Sequence, residues 1–140
     1  PDRGRPQVIV VDHGSPVREV AALRDRIADR LSRLLGPAVR SVRAASMERP
    51  PGEAFAFNEP LLEHALAATR PDQGPVIVCQ LFLAPGRHAG PGGDIEMFCA
   101  KAVASIPGLE VAITDPIGPH PSMIDVLADR AREAMGRLPA

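Results

Sequence analysis

Two histidines stand where a long apolar run gives way to a turn. His13 belongs to Asp12-His13-Gly14-Ser15, directly after the run 7–12 (QVIVVD), and His88 ends Ala84-Pro85-Gly86-Arg87-His88, after the run 75–83 (PVIVCQLFL). Near neutral pH an imidazole serves both as a metal ligand and as a proton acceptor. Two of them with open coordination suit a borderline divalent ion such as Fe²⁺, Co²⁺ or Ni²⁺, held loosely enough to be handed on. A permanent structural zinc site wants four protein ligands, and the sequence offers no such set. Each histidine alone has a plainer reading: His13 as a turn residue bonding local backbone, His88 as a solvated loop residue. Only their shared position gives the pair weight.

Other side chains fall close to these turns. Glu48, after the second apolar run, can orient a histidine, accept a proton or help hold a cation; it can equally be a solvated loop acid. Arg87 has the planar guanidinium that pairs bidentately with carboxylates, or it simply faces solvent. Ser15 can bind an anionic group at a positive helix start, or act as the helix cap. His120, in the run 116–121, can line the same mouth or belong to a turn. His64 sits mid-helix among Leu61, Leu62, Ala65 and Leu66 and reads as a flank residue.

The elements that must carry these residues alternate. The run 7–12 is continuous and β-branched, the pattern of a strand buried on both faces. After it, Val20, Leu23, Ile27, Leu31, Leu34 and Leu35 recur at helical spacing up to Gly36-Pro37, with Ser15 expected at the N-cap and Pro16 at the first helical position. A second strand is expected over 39–47, a connector over 49–57, and a helix from 59 or 60 to 69. A third strand follows over 75–83, then a glycine-rich loop and a helix opening at Asp94. The fourth strand is expected over 109–114. The last helix, 122–138, should bury Met123, Leu127, Ala131, Met135 and Leu138 on one stripe.

This alternation predicts an α/β fold: a four-stranded parallel sheet with helices on both faces and, for four strands, the order 2-1-3-4. In such sheets ligands bind beyond the strand C-termini where the order reverses, here between strands one and three. Adjacent strands lie about 4.8 Å apart, so imidazoles at those two strand ends can converge on one ion.

Composition narrows the rest. At 140 residues the chain fits one domain, 1–140, with a core that needs no staple. A net charge of −1 spread over mixed-sign segments gives no nucleic-acid footprint and no polybasic membrane patch. No stretch nears the roughly 20 apolar residues that span a bilayer. The two cysteines, Cys79 and Cys99, lie inside apolar runs without a paired spacing, as expected of thiols in a reducing, cytoplasmic setting.

Taken in order, Asp12-His13-Gly14-Ser15, Met47-Glu48, Phe82-Leu83-Ala84-Pro85-Gly86-Arg87-His88, Asp94-Ile95 and Ile117-Gly118-Pro119-His120 resemble the small CbiX/SirB sirohydrochlorin chelatases over nearly the whole chain. The resemblance implies a class II chelatase half-unit that pairs as a homodimer. It further implies insertion of Co²⁺ or Fe²⁺, less often Ni²⁺, into sirohydrochlorin or a related tetrapyrrole for cobalamin or siroheme. The metal is then a substrate and no permanent cofactor is needed. In that family the histidines matching His13 and His88 hold the metal and assist removal of the pyrrole protons. This chain departs from the pattern at Ser46, where the family usually carries histidine, at Pro16 and Ala21, and in longer segments at 49–57 and 89–93.

Two other readings stand beside this one. A non-catalytic protein on the same fold would bind or deliver metal or tetrapyrrole without turnover. A receiver-like or flavodoxin-like signalling domain would want an acid near the end of the third strand or a phosphate loop after the first, and the chain has neither.

Overall fold

The computed structural model describes residues 4–138 of the expected 1–140 unit. All six residues of strand β1 (Gln7–Asp12) are buried, as the unbroken apolar run requires of a strand covered on both sides. It pairs in parallel with β2 (Ser41–Ser46), from Gln7 opposite Ser41 to Asp12 opposite Ser46. On its other edge it pairs with β3 (Val76–Gln80), from Gln7 opposite Val76 to Val11 opposite Gln80. The short β4 (Val111–Ile113) completes a four-stranded parallel sheet in the expected order, β2-β1-β3-β4.

The pleat sorts the side chains of β1 to two cores. Ile9 and Val11 pack with Val76 and Val78 against Leu62 and Leu66 of α2 (Leu62–Ala67) and Ile95 and Cys99 of α3 (Asp94–Ser105). Val8 and Val10 face Ala28 of α1 (Arg18–Leu35), with Ile27, Leu31 and Leu35 half-buried beside them. Each fully buried aliphatic side chain contributes about 1.5–3 kcal/mol, so the two cores clamp β1, and with it the chain that leaves its end.

Several elements differ from the sequence expectation. Helix α1 opens at Arg18 with Val17 as its N-cap, not at Pro16 with Ser15 as cap. The Ser15 hydroxyl instead accepts the Val17 N–H at 3.0 Å, a local turn that delays the helix. Its inner face is Ala21, Arg24 and Ala28, whereas Val20, Leu23 and Leu34 are exposed. Helix α2 starts later than residue 60 because that segment is still extended: Pro60 O accepts the Ser46 N–H and Leu61 bridges to Ser46. The strands β2, β3 and β4 are shorter than 39–47, 75–83 and 109–114.

The largest correction concerns α4 (Ser122–Met135). Among the described residues of α4 none is buried; Leu127 is 61% exposed, Met135 68% and, just beyond, Leu138 72%. Of the expected stripe only Met123 is half-buried. The physical reason is a gap: a cavity of about 780 Å³, lined by Val10, Ile27, Leu31, Cys79, Leu81 and Met123 among others, separates the helix from the sheet. No helix of the described residues is long and apolar enough to cross a membrane.

Candidate functional site

The chain leaves β1 into a turn that only glycine permits at its second residue. Gly14 has φ +94°, and a Cβ there would lie 1.8 Å from the Glu48 carbonyl oxygen. That close approach stitches two strand ends together: Met47 N–H donates to Asp12 O at 2.8 Å and Glu48 N–H to His13 O at 3.1 Å. His13 and Glu48 therefore emerge side by side, with His13 Nε2 3.3 Å from Glu48 Oε1.

His88 arrives by a longer route. The loop after β3 is tied at its base by Gln80, whose Oε1 accepts the Gly90 N–H at 3.2 Å and whose Nε2 donates to Thr114 O at 2.5 Å. It closes onto the start of α3, where Asp94 N–H and Ile95 N–H donate to the carbonyls of Arg87 and His88. Buried Ala89 anchors this fold-back in the core beside Ile95 and Cys99. The two imidazole rings meet edge to face, their centroids 5.0 Å apart at 69°.

Each ring has its Nδ1 against an oxygen. His13 Nδ1 lies 3.1 Å from the Gly14 carbonyl. His88 Nδ1 lies 2.6 Å from Asp94 Oδ2. A carboxylate or carbonyl on one ring nitrogen is the arrangement that leaves the other available to a metal. His13 Nε2 in turn faces the Glu48 carboxylate, so the two can converge on one cation. With His13 48% and His88 28% exposed, the pair is open to a ligand from outside.

The other sequence candidates distribute around this pair. Glu48 is in contact with it and exposed. Ser15 is next in chain, its N–H bonded to Asn58 Oδ1 at 3.0 Å. Arg87 adjoins His88 and is exposed, so its guanidinium is accessible to a ligand. His120 lies apart from the pair; its Nδ1 accepts the Ser122 N–H at 3.3 Å and its side chain lines the cavity under α4. His64 is an exposed flank residue paired with Glu59. Among the described residues no group of three or more His, Cys, Asp or Glu side chains is placed to hold a metal ion.

Sequence reasoning placed Asp94 only at a helix start and missed it as the partner of His88. The available signal was an acid at a helix N-terminus six residues after a loop histidine. It also missed the buried polar side chains behind the His13 turn: Arg24, Asn58 and Ser46. Burial pushes the Cys99 thiol up to about 11, with Glu96 adding to the rise, and burial also raises Cys79. A hydrogen bond from Arg49 holds Glu59 below the usual carboxylate range.

A doubly wound parallel sheet with paired histidines at its switch point defines the chelatase-like α/β half-unit. The chain belongs to the CbiX family, whose pattern it matches over residues 7–134. It is also 30% identical over 132 residues, 94% of its length, to the chloroplastic sirohydrochlorin ferrochelatase of Arabidopsis thaliana. The match covers 53% of that relative, so the chain spans about half the relative's length.

Proposed function

We propose that this chain inserts a divalent metal into a tetrapyrrole, sirohydrochlorin or a close relative, with Co²⁺ or Fe²⁺, less readily Ni²⁺, as the second substrate. The observation that carries the reading is the His13–His88 pair, rings 5.0 Å apart, with both Nδ1 atoms engaged and Glu48 Oε1 3.3 Å from His13 Nε2. Two protein ligands and no cage favour transfer over storage.

Metallation balances as one M²⁺ entering the macrocycle while two pyrrolic N–H protons leave. His13 and His88 hold the ion; the imidazoles and Glu48 take up the protons and pass them to solvent. Arg87 pairs with a peripheral carboxylate of the macrocycle, with Ser15 beside the approach, while His120 offers a substrate contact only from the cavity under α4. The unit works as a homodimer, a second copy helping to enclose so large a ligand. The exposed apolar residues Ile124, Leu127 and Met135 of α4 are available to be covered in such a pair. Two free cysteines suit a reducing, cytoplasmic setting.

The test is to mix protein anaerobically with sirohydrochlorin and either Co²⁺ or Fe²⁺ and follow the absorption change against the protein-free rate. Acceleration is expected, and the ratio of the two rates chooses the metal. Metal or tetrapyrrole bound without acceleration would replace catalysis with delivery.

A further inference from the structure

The buried polar side chains on the α1 side of this molecule gather behind one turn. Arg24 is 2% exposed on the inner face of α1, where an apolar residue would be expected. Its Nη1 donates to Ser46 Oγ and, at 3.2 Å, to the Asn58 carbonyl; its Nη2 donates to Phe57 O at 3.3 Å and to Asp25 Oδ1 at 2.8 Å. From there two short paths lead to either side of His13. Along the first, Ser46 Oγ donates to Asp12 Oδ1 at 2.7 Å, and the same oxygen accepts the Gly14 N–H at 3.1 Å. Along the second, Asn58, itself fully buried, accepts the Ser15 N–H on Oδ1 at 3.0 Å and donates Nδ2 to Ser15 O at 2.9 Å.

The second path reaches the imidazole itself. Ser15 N–H and Gly14 C=O belong to one planar peptide unit. Fixing the N–H against Asn58 fixes the carbonyl, and that carbonyl is the partner of His13 Nδ1. A buried guanidinium is a poor device for stability alone, since well-packed apolar residues often do as well or better; its defensible use is to specify one arrangement. Here the arrangement is the orientation of the His13 ring.

We infer that Arg24 and Asn58 are positioning residues for His13, clamping residues 12, 14 and 15 so that the Gly14 carbonyl stays beside Nδ1 and Nε2 stays turned to Glu48. The consequence for metal transfer rests on the proposed function; the consequence for the ring does not.

Nitrogen NMR of the histidine rings in metal-free protein tests it, with Co²⁺ affinity measured in parallel. In the unsubstituted protein the His13 ring should show one set of nitrogen signals, that of a single clamped state. Arg24→Met and Asn58→Ala should convert it to a mixture and weaken Co²⁺ binding about 10-fold, while His88, held by Asp94, keeps its signal. Arg24→Lys retains the charge beside Asp12 but not the reach to the Asn58 and Phe57 carbonyls, and should fall between. Leu66→Ala, a core lesion on the opposite sheet face, should lower the melting temperature without moving the His13 signal. An unchanged His13 signal in folded Asn58→Ala or Arg24→Lys would overturn the inference, as would an equal change in Leu66→Ala. A signal change in protein that binds no Co²⁺ at all would support the positioning and count against the metallation reading.

Discussion

His13 and His88 face each other across 5.0 Å, yet the chain delivers them in opposite ways. His13 stands one residue past a wholly buried strand, in a turn whose neighbours are bonded to Ser46, Met47 and Asn58 in the interior. His88 stands at the far side of an exposed loop and is oriented by a single carboxylate at the start of α3. The first ring inherits its placement from the core, the second from a local latch. Substitutions in the interior should therefore disturb His13, and substitutions near the helix start should disturb His88.

Glycines give the sharpest contrast. Gly14→Ala should be the most damaging single change, costing about 3 kcal/mol or more in urea unfolding, because its Cβ meets the Glu48 carbonyl and its φ is in the left-handed region. Metallation should be lost with it, since His13 and Glu48 move together. Gly86→Ala, in the His88 loop, meets nothing within 4 Å and should change stability by less than about 0.5 kcal/mol. Similar costs at the two glycines would break the comparison.

Removing either ring should cost activity without stability: His13→Ala and His88→Ala are each expected to slow metallation about 100-fold or more, with little movement in the melting temperature. Asp94→Asn should act on one ring only, reducing Co²⁺ affinity about 10-fold and shifting the ring-nitrogen signals of His88 but not of His13. The smallest effect lies beneath the loop, where Cys99 packs with Ala89 and Ile95. Its folded pKa is raised to about 11, so the neutral thiol's contribution is complete below about pH 9 and is lost as pH rises toward 11. A loss on the order of 1–2 kcal/mol is expected in that window. Cys99→Ala should flatten the slope between pH 9 and 11 in thermal melts.

The same contrast explains what could be read from the residues alone. Strand order and the two histidines were legible because both follow from apolar runs and their ends: a run buried on both faces must be central, and function gathers where such strands stop. Arg24 was not legible, since a charged residue on an amphipathic helix reads as solvent-facing until the polar group that draws it inward is known. Asn58 lay in a connector without periodicity. The Ser15-Pro16 pair has the signature of a helix cap and is instead a turn, because hydroxyl-to-backbone bonds two residues apart serve either purpose. For α4, periodicity correctly gave a helix with an apolar stripe; what covers a stripe is decided by the neighbours, and here a cavity lies where a neighbour was expected.

The central claim is that the paired imidazoles at the β1 and β3 ends hand a divalent ion to a tetrapyrrole. Single-turnover metallation of sirohydrochlorin by the unsubstituted protein, His13→Ala, His88→Ala and the doubly substituted protein tests it most directly. The account predicts acceleration over the protein-free rate that falls about 100-fold or more in each single variant, with no further large loss in the double, because the two rings act as a unit. Metallation at undiminished rate in folded His13→Ala and His88→Ala protein would contradict it.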